Sequence, residues 1–462
     1  MNQKLKKGIF TVLLANIVNV IFSLATNLLL PKYLSVESYA GIKTFQLYVS
    51  YVGILHLGYV DGIYLKYGGK TLGENLDEDF ALSLSTIKVF QIVFTSVLFL
   101  ASLFTKDWIV ALFTITILPQ NVSNYFKFLY QATGDFKLYG RIMNFSTIST
   151  FAINMFLLFL VRTDSYKLYI ILYVLLYYVI WIVLEIQFRN NHIIKKTDWF
   201  SWRELVLNIK AGFLLTLGNI SSMILTSLDR WFVKVLMSTT DFAQYSFAVS
   251  IENFLNLAIT PVTTTLYNYM CCETSIEKQK KLFRFIIIFA TVLPASAFPV
   301  KLILENFLQK YIYANKVIFI LFAAQMFNII VKSIFVNLYK VNRQQRRYFI
   351  KLVVILIVNF IFNIVFYQFQ QIKEAFALGT LFSSLLWFVI SVVDFRYYEI
   401  KFNEYFYLFS ELVLFLFCGL YFNAIIGCLI YSIATVFMIA VFMNTTLVTL
   451  IQKGKEITKK RI

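Results

Sequence analysis

The stretch YKLYIILYVLLYYVIWIVLEIQFRNNHIIKKTDWFSWRELVL, residues 166–207, decides the fold. Its first half is an almost unbroken apolar run of about 20 residues, the length at which a helix crosses a bilayer core. Its second half is the longest polar break in the chain, with Lys195 and Lys196 set beside Trp199, Phe200 and Trp202. Cations interleaved with large aromatic rings suit the boundary between headgroups and hydrocarbon. Residues 189–207 are therefore expected to form an amphipathic helix on the inner leaflet. Outward from this point the same pattern repeats. Apolar spans fall near 9–30, 42–60, 81–104, 108–131, 138–161, 166–188, 208–229, 242–270, 283–304, 313–339, 349–369, 374–394, 406–423 and 425–450. The expected fold is an all-α polytopic membrane protein of about fourteen transmembrane helices.

Composition supports that reading. Of 462 residues, 59% are hydrophobic, 18% aromatic and only 14% charged, whereas a soluble domain needs about 25% charged residues to keep a hydrated surface. The net charge of +18 is a matter of orientation. If the amino terminus with Lys4, Lys6 and Lys7 is cytoplasmic, alternate connections should be basic. They are, at Lys66 and Lys70; at Lys127, Lys137 and Arg141; from Arg189 to Lys210; from Lys278 to Arg284; from Lys340 to Lys351; at Arg396 and Lys401; and in the tail from Lys453 to Arg461. Both termini are thus expected inside, and the cations to meet anionic membrane lipids. Nucleic acid is excluded as a partner. The first span is too long for a signal-peptide core and lacks a small-residue cleavage site, so it is expected to stay. Four cysteines with no C-x-x-C pair and two histidines leave too few ligands for a zinc or iron–sulfur site, and no cofactor is implied.

The basic break divides the chain into an N-terminal lobe (1–188), the amphipathic linker (189–207), a C-terminal lobe (208–395), and a last pair of spans with a basic tail (396–462). NLLLPKYLSVESYAGIKTF from Asn27 can be laid against DRWFVKVLMSTTDFAQYSFAV from Asp229, matching Lys32 to Lys234, Leu34 to Leu236 and Tyr39 to Tyr245. An offset of about 202 residues then relates six spans to the next six as parallel repeats, an arrangement common in transporters.

Several spans carry polar residues at helical spacing, which a helix facing lipid on all sides should not. Asn16 and Asn19 lie on the first, Lys43 and Gln46 on the second, Gln120, Asn124 and Lys127 on the fourth, and Arg141 and Asn144 on the fifth. Asn219, Asp229 and Arg230 mark the seventh, Glu252, Asn253 and Asn256 the eighth, and Gln325, Asn328 and Lys332 the tenth. Amides and hydroxyls singly are ordinary glue between helices, at about 0.6 kcal/mol each. Cations are different, since Lys or Arg at mid-span costs about 2.5–3.5 kcal/mol to insert. Lys332 is the clearest case. Lys127 sits nearer an inner end, Lys43 and Arg230 nearer outer ends, and Lys88 reads as snorkelling to the surface. Together the stripes describe a hydrated cavity with a net positive lining. Its cations suit phosphate oxygens and its amides suit sugar hydroxyls. Asp229 and Glu252 either pair with those cations or carry a coupling ion.

The segment LLLPKYLSVESYAGIKTFQLYVSYVGILHLGYVDGIYLKYGG (29–69), with Pro31, Leu34, Tyr39, Gly41, Tyr48 and the Gly58-x-x-Asp61-Gly62 turn, resembles the polysaccharide transporters. These are the Wzx-type oligosaccharide flippases of the multidrug/oligosaccharidyl-lipid/polysaccharide (MOP) exporter superfamily. YFKFLYQATGDFKLYGR (125–141) and the region 227–249 resemble them too. The resemblance implies two six-helix lobes around a central cavity and alternating access. It also implies a polyprenyl-pyrophosphate-linked oligosaccharide as substrate, moved to the outer leaflet of a bacterial cytoplasmic membrane for capsule or O-antigen-type polysaccharide, with polymerase and glycosyltransferases as partners. Lys43, Lys127, Arg230 and Lys332 would engage the pyrophosphate, with Arg141, Gln46, Asn124 and Asn328 as further contacts and Asp61, like Asp229 and Glu252, a possible ion-coupling or ion-pairing group. The alternatives are an ion-coupled small-molecule exporter of the MATE kind, and a membrane-embedded polymerase or glycosyltransferase. An enzyme is disfavoured because no large loop carries clustered acids, and no G-x-x-x-x-G-K-[ST] loop is present to bind a nucleotide.

Overall fold

A computed structural model describes residues 20–68, 70, 75–76, 78–194, 198–272 and 275–444. The start of the first expected span, with Lys4, Lys6, Lys7, Asn16 and Asn19, lies outside the described residues, as do Lys195, Lys196 and the tail from Lys453. The chain divides into two compact units, Met1–Met223 and Ile224–Ile462.

The first unit holds helices α1 (residues 20–33), α2 (Val36–Val49), α3 (Tyr59–Tyr67), α4 (Glu78–Leu103), α5 (Trp108–Ala132), α6 (Phe136–Met155), α7 (Tyr166–Asn191) and the start of α8 (Trp202–Leu236). Short polar caps set the entries: the Asp107 carboxylate accepts from the Ile109 amide at 2.8 Å, and that of Asp135 from Leu138 at 3.2 Å. The core is aromatic, with Phe80 stacked on Phe188 at 5.3 Å and Phe126 against the same ring at 5.2 Å. Within it the Tyr59 hydroxyl donates to the Ser83 carbonyl at 2.8 Å.

Two expectations are corrected here. The span expected over 42–60 is not one helix. α2 ends at Val49, a 3₁₀ turn covers Val52–Ile54, and Leu57 and Gly58 take positive φ of 54° and 95° before α3 begins. Hydropathy runs straight through this break because its residues are apolar. The backbone groups it frees are met by buried side chains: Gln91 Nε2 donates to the Leu55 carbonyl at 3.2 Å, and His56 Nδ1 accepts from the Gly58 amide at 3.1 Å. The amphipathic helix expected over 189–207 is not formed either. Residues 189–191 close α7, Ile193–Ile194 pairs in parallel with Asn75–Leu76, and α8 starts at Trp202. The stretch before α8 is pinned to α4 instead. Ser85 Oγ donates to the Asp198 carbonyl, and the Ser201 amide donates to Thr86 Oγ1 at 3.2 Å.

α8 then runs 35 residues without a break. Gly58 and Gly62, one helical turn apart, meet Asn208 and Gly212 of α8 at a crossing with no room for side chains. A Cβ on Gly62 would lie 2.1 Å from the Asn208 carbonyl oxygen, and one on Gly212 2.0 Å from that of Gly58. Small residues let membrane helices approach this closely, where dispersion supplies much of the attraction.

The second unit takes in the rest of α8, then α9 (Thr239–Cys272), α10 (Ile276–Val292), α11 (Ala297–Asn306), α12 (Asn315–Ile330), α13 (Val336–Val341), α14 (Gln345–Phe369), α15 (Lys373–Asp394), α16 (Phe402–Tyr421) and α17 (Ala424–Phe442). A π-helical segment, Val331–Phe335, joins α12 to α13. Together with the 3₁₀ turn before α12 they form one element, Gln309–Val341, whose most apolar window is 89% buried. It is the central post of this unit, with α9, α10, α15 and α16 packed around α12. The last pair, α16 and α17, is fastened to α10 by polar groups. Tyr431 donates to the Thr291 carbonyl at 2.7 Å, and Arg284 pairs with Glu404 at 2.6 Å.

Among the described residues ten helical segments are long and apolar enough to cross a membrane, and the chain is a multi-pass α-helical membrane protein. The expected fourteen is not reached by that measure. Part of the first span lies outside the described residues and the second is broken. α5 and α9, 25 and 34 residues long, are diluted by their polar stripes. The glycine crossing supplies a paired test. Gly212→Ala should cost about 2–3 kcal/mol of stability through overpacking. Gly218→Ala, whose Cβ would meet nothing within 4 Å, should be neutral or gain up to about 1 kcal/mol. Thermal unfolding of the purified variants in detergent reads both.

Candidate functional site

The second unit encloses a polar cavity of about 60 Å³ at the centre of its helices. Four residues expected at a site meet there: Asp229 from α8, Glu252 from α9, Asn328 from α12 and Lys332 from the π segment. π segments inside helices often mark functional positions, because the extra residue re-aims a side chain.

The three charges are held differently. Glu252 accepts from Gln325 Nε2 at 2.5 Å. Asp229, buried, accepts from the Tyr245 hydroxyl at 2.7 Å, the Arg230 backbone amide at 2.7 Å and Thr380 at 3.5 Å. Neither carboxylate forms a salt bridge among the described residues, so the simple pairing of these acids with neighbouring cations is not what the geometry holds. Lys332 is half-buried and has no hydrogen-bond or ion-pair partner among the described residues. Its insertion cost of about 2.5–3.5 kcal/mol exceeds what one interhelical hydrogen bond of about 0.6 kcal/mol would return. The Glu252 carboxylate on the same cavity wall offsets part of that cost, and a cavity of this size has room for a few waters.

The remaining candidates are placed as follows. Arg230 lies beside Asp229 but does not line the cavity, and its buried Nε is unsatisfied. In the first unit, Lys43 Nζ donates to Asn27 Oδ1 at 2.9 Å and sits 5.2 Å over the Tyr39 ring. Lys127, Asn124 and Gln46 are half-buried. Among the described residues Lys127 has no hydrogen-bond or ion-pair partner. Asp61 is buried and accepts from Thr216 Oγ1 and, at 3.4 Å, from Asn219. Arg141 is exposed at the start of α6, in a groove rather than an interior cavity. Lys88 does not snorkel: it pairs with Glu185 at 2.5 Å, and Glu185 also holds Arg189 at 2.8 Å. That pair was invisible to a span-by-span reading because its members lie on α4 and α7.

Other lining residues were missed. Asn359 of α14 and Thr380, Ser383 and Ser384 of α15 complete the cavity wall. Their signal was present as polar residues within strongly apolar spans, Asn359 and Asn363 being one turn apart. One sequence correspondence has a structural counterpart. Asn27 and Asp229 each accept a hydrogen bond from a side chain of the next helix, Lys43 and Tyr245 respectively.

No protein-family model matches the sequence, and comparison with curated proteins finds no match. Solved structures do resemble it. The chain is similar to the lipid II flippase MurJ in an inward closed conformation, with TM-score 0.64 and 14% identity, over 94% of this chain and 99% of that one. It is also similar to an inward-facing multidrug resistance MATE family transporter of the MOP superfamily, with TM-score 0.54 and 11% identity, over 87% of this chain and 98% of that one. At these identities the likeness establishes the fold. The class is therefore a polytopic helical membrane protein, and the particular architecture is the one that MurJ and MATE structures share.

The cavity makes an asymmetric prediction. Tyr245→Phe strips a donor from buried Asp229 and should cost about 1–3 kcal/mol. Lys332→Met removes a cation with no partner among the described residues and should leave the unfolding midpoint unchanged or higher. Unfolding of both variants in the same detergent checks this.

Proposed function

We propose that the chain is a flippase that carries a polyprenyl-pyrophosphate-linked oligosaccharide from the inner to the outer leaflet by alternating access, for capsule or O-antigen-type polysaccharide. The observation that carries this reading is Lys332: an ammonium without a hydrogen-bond or ion-pair partner among the described residues, on a π segment of the most buried helix, facing a polar cavity. A cation kept in an apolar span at such cost belongs to a substrate path or a charge partner. A pyrophosphate oxygen would be that partner, with Lys acting as a point charge. Glu252, on the same cavity wall, would balance part of the ammonium's charge when substrate leaves. The sequence resemblance to Wzx-type flippases and the fold shared with a lipid II flippase both support this reading.

The cavity also limits the mechanism. At about 60 Å³ it is far below the roughly 300 Å³ that even a small organic ligand needs. It would read the charged anchor and not the sugar. Lys43, Lys127 and Arg230, with Gln46, Asn124 and Asn328, are the remaining groups proposed to contact substrate, while Arg141 stands apart on its outer groove. Asp229 and Asp61, held by neutral donors, would keep the helices in register. The protein would sit in the bacterial cytoplasmic membrane with both termini inside, working with glycosyltransferases and a polymerase and needing no cofactor.

A second reading is an ion-coupled small-molecule exporter. It is favoured by two carboxylates lining one cavity and by the fold shared with a MATE transporter. The two readings part at Lys332. Lys332→Ala and Lys127→Ala should each abolish surface polysaccharide while the protein stays in the membrane. Normal export by both variants would defeat the flippase reading, and a gain in efflux of cationic dyes would support the exporter. The driving force gives a further test. Moving about two negative charges outward against an interior-negative potential releases about 4–5 kcal/mol at 100 mV. Flipping in reconstituted vesicles should accelerate under an imposed potential of that sign, and indifference to potential would refute this drive.

A further inference from the structure

The groove at the start of α6 and the end of α7, about 440 Å³ and open to one side, has a lining of two kinds. Arg141, Gln187, Asn190 and Asn191 are polar; Val183 and Ile186 are apolar and about half exposed. The Arg141 guanidinium has no hydrogen-bond or ion-pair partner among the described residues. Nearby Glu185 does not neutralise it. Glu185 lies roughly half a turn round α7 from Val183, where it already holds Lys88 at 2.5 Å and Arg189 at 2.8 Å. From the groove an apolar ridge continues along α7 through Ile186, Ile182, Val179 and Leu175, each about half exposed. From Leu175 to Ile186 the helix rises about 16 Å, close to half of a bilayer core about 30 Å thick. The juxtaposition is an uncompensated bidentate cation, three amides, and an apolar track as long as one leaflet is deep.

We propose that this groove binds the headgroup of an anionic, glycerol-headed phospholipid, with one acyl chain laid along the α7 ridge. Arg141 takes the phosphodiester oxygens through its planar fork. The amides of Gln187, Asn190 and Asn191 take the headgroup hydroxyls. Basic pockets between membrane helices near a headgroup plane bind anionic lipids in this way. The groove is too small for an oligosaccharide beside the phosphate, and bulk lipid reaches it directly from the bilayer. The assignment is independent of what the chain transports.

The test uses the purified full chain in detergent, titrated with phosphatidylglycerol or phosphatidylcholine, with bound lipid counted by native mass spectrometry. The wild-type chain should retain phosphatidylglycerol in preference to phosphatidylcholine. Arg141→Ala should weaken that retention about tenfold, and Arg141→Lys should fall between the two. Both variants should unfold at the wild-type temperature without lipid, since Arg141 is exposed and has no partner among the described residues. Lys332→Ala should retain phosphatidylglycerol as wild type does. Equal retention of the two lipids, or undiminished phosphatidylglycerol binding by Arg141→Ala, would overturn the site. Displacement of phosphatidylglycerol by an equal concentration of a polyprenyl phosphate would give the groove to a prenyl lipid and overturn the assignment to bulk phospholipid.

Discussion

Hydrocarbon offers no water to an unpaired polar group, and each such group left unmet there costs several kcal/mol. The broken stretch after α2 survives because Gln91 and His56 reach its free backbone groups. Asp61 survives because Thr216 and Asn219 of α8 donate to it. That approach in turn requires glycine where α3 and α8 cross. A Cβ at Gly62 or Gly212 would push the helices apart and take Thr216 away from Asp61. Close packing and polar satisfaction are here one constraint seen from two sides.

The same constraint makes the second unit informative. Most of its buried polar groups have neutral partners: Asp229 has Tyr245, Glu252 has Gln325, and Asn337 Nδ2 donates to the Thr263 and Ser333 carbonyls. Lys332 breaks the rule by having none among the described residues. Among groups that are mostly met by neutral donors, a cation without such a partner is a place at which an external group has much to gain by arriving.

Legibility differed by kind of residue. Polar stripes found Asp229, Glu252, Asn328 and Lys332 from spacing alone, since a charge or amide amid apolar residues stands out whatever surrounds it. The stripes overlooked Thr380, Ser383 and Ser384, because hydroxyls in a helix can bond their own backbone, as Ser383 and Ser384 also do. Arg141 was grouped with the cavity cations by its span, yet it lies on an outer groove. Spacing places a residue on a helix face without saying what that face meets. Lys88 was misread for the same reason, its partner Glu185 being 97 positions away.

By itself the sequence determined that the chain crosses a membrane many times, since apolar runs of about 20 residues have no other stable home. It also determined which helices carry polar residues, and through its basic loops it predicts an orientation. Only the tertiary structure decided that the second span breaks, that residues just before α8 bond to α4, and which cations find no partner among the described residues. Those outcomes turn on side chains from distant helices meeting backbone groups and charges, which hydropathy along one segment does not encode.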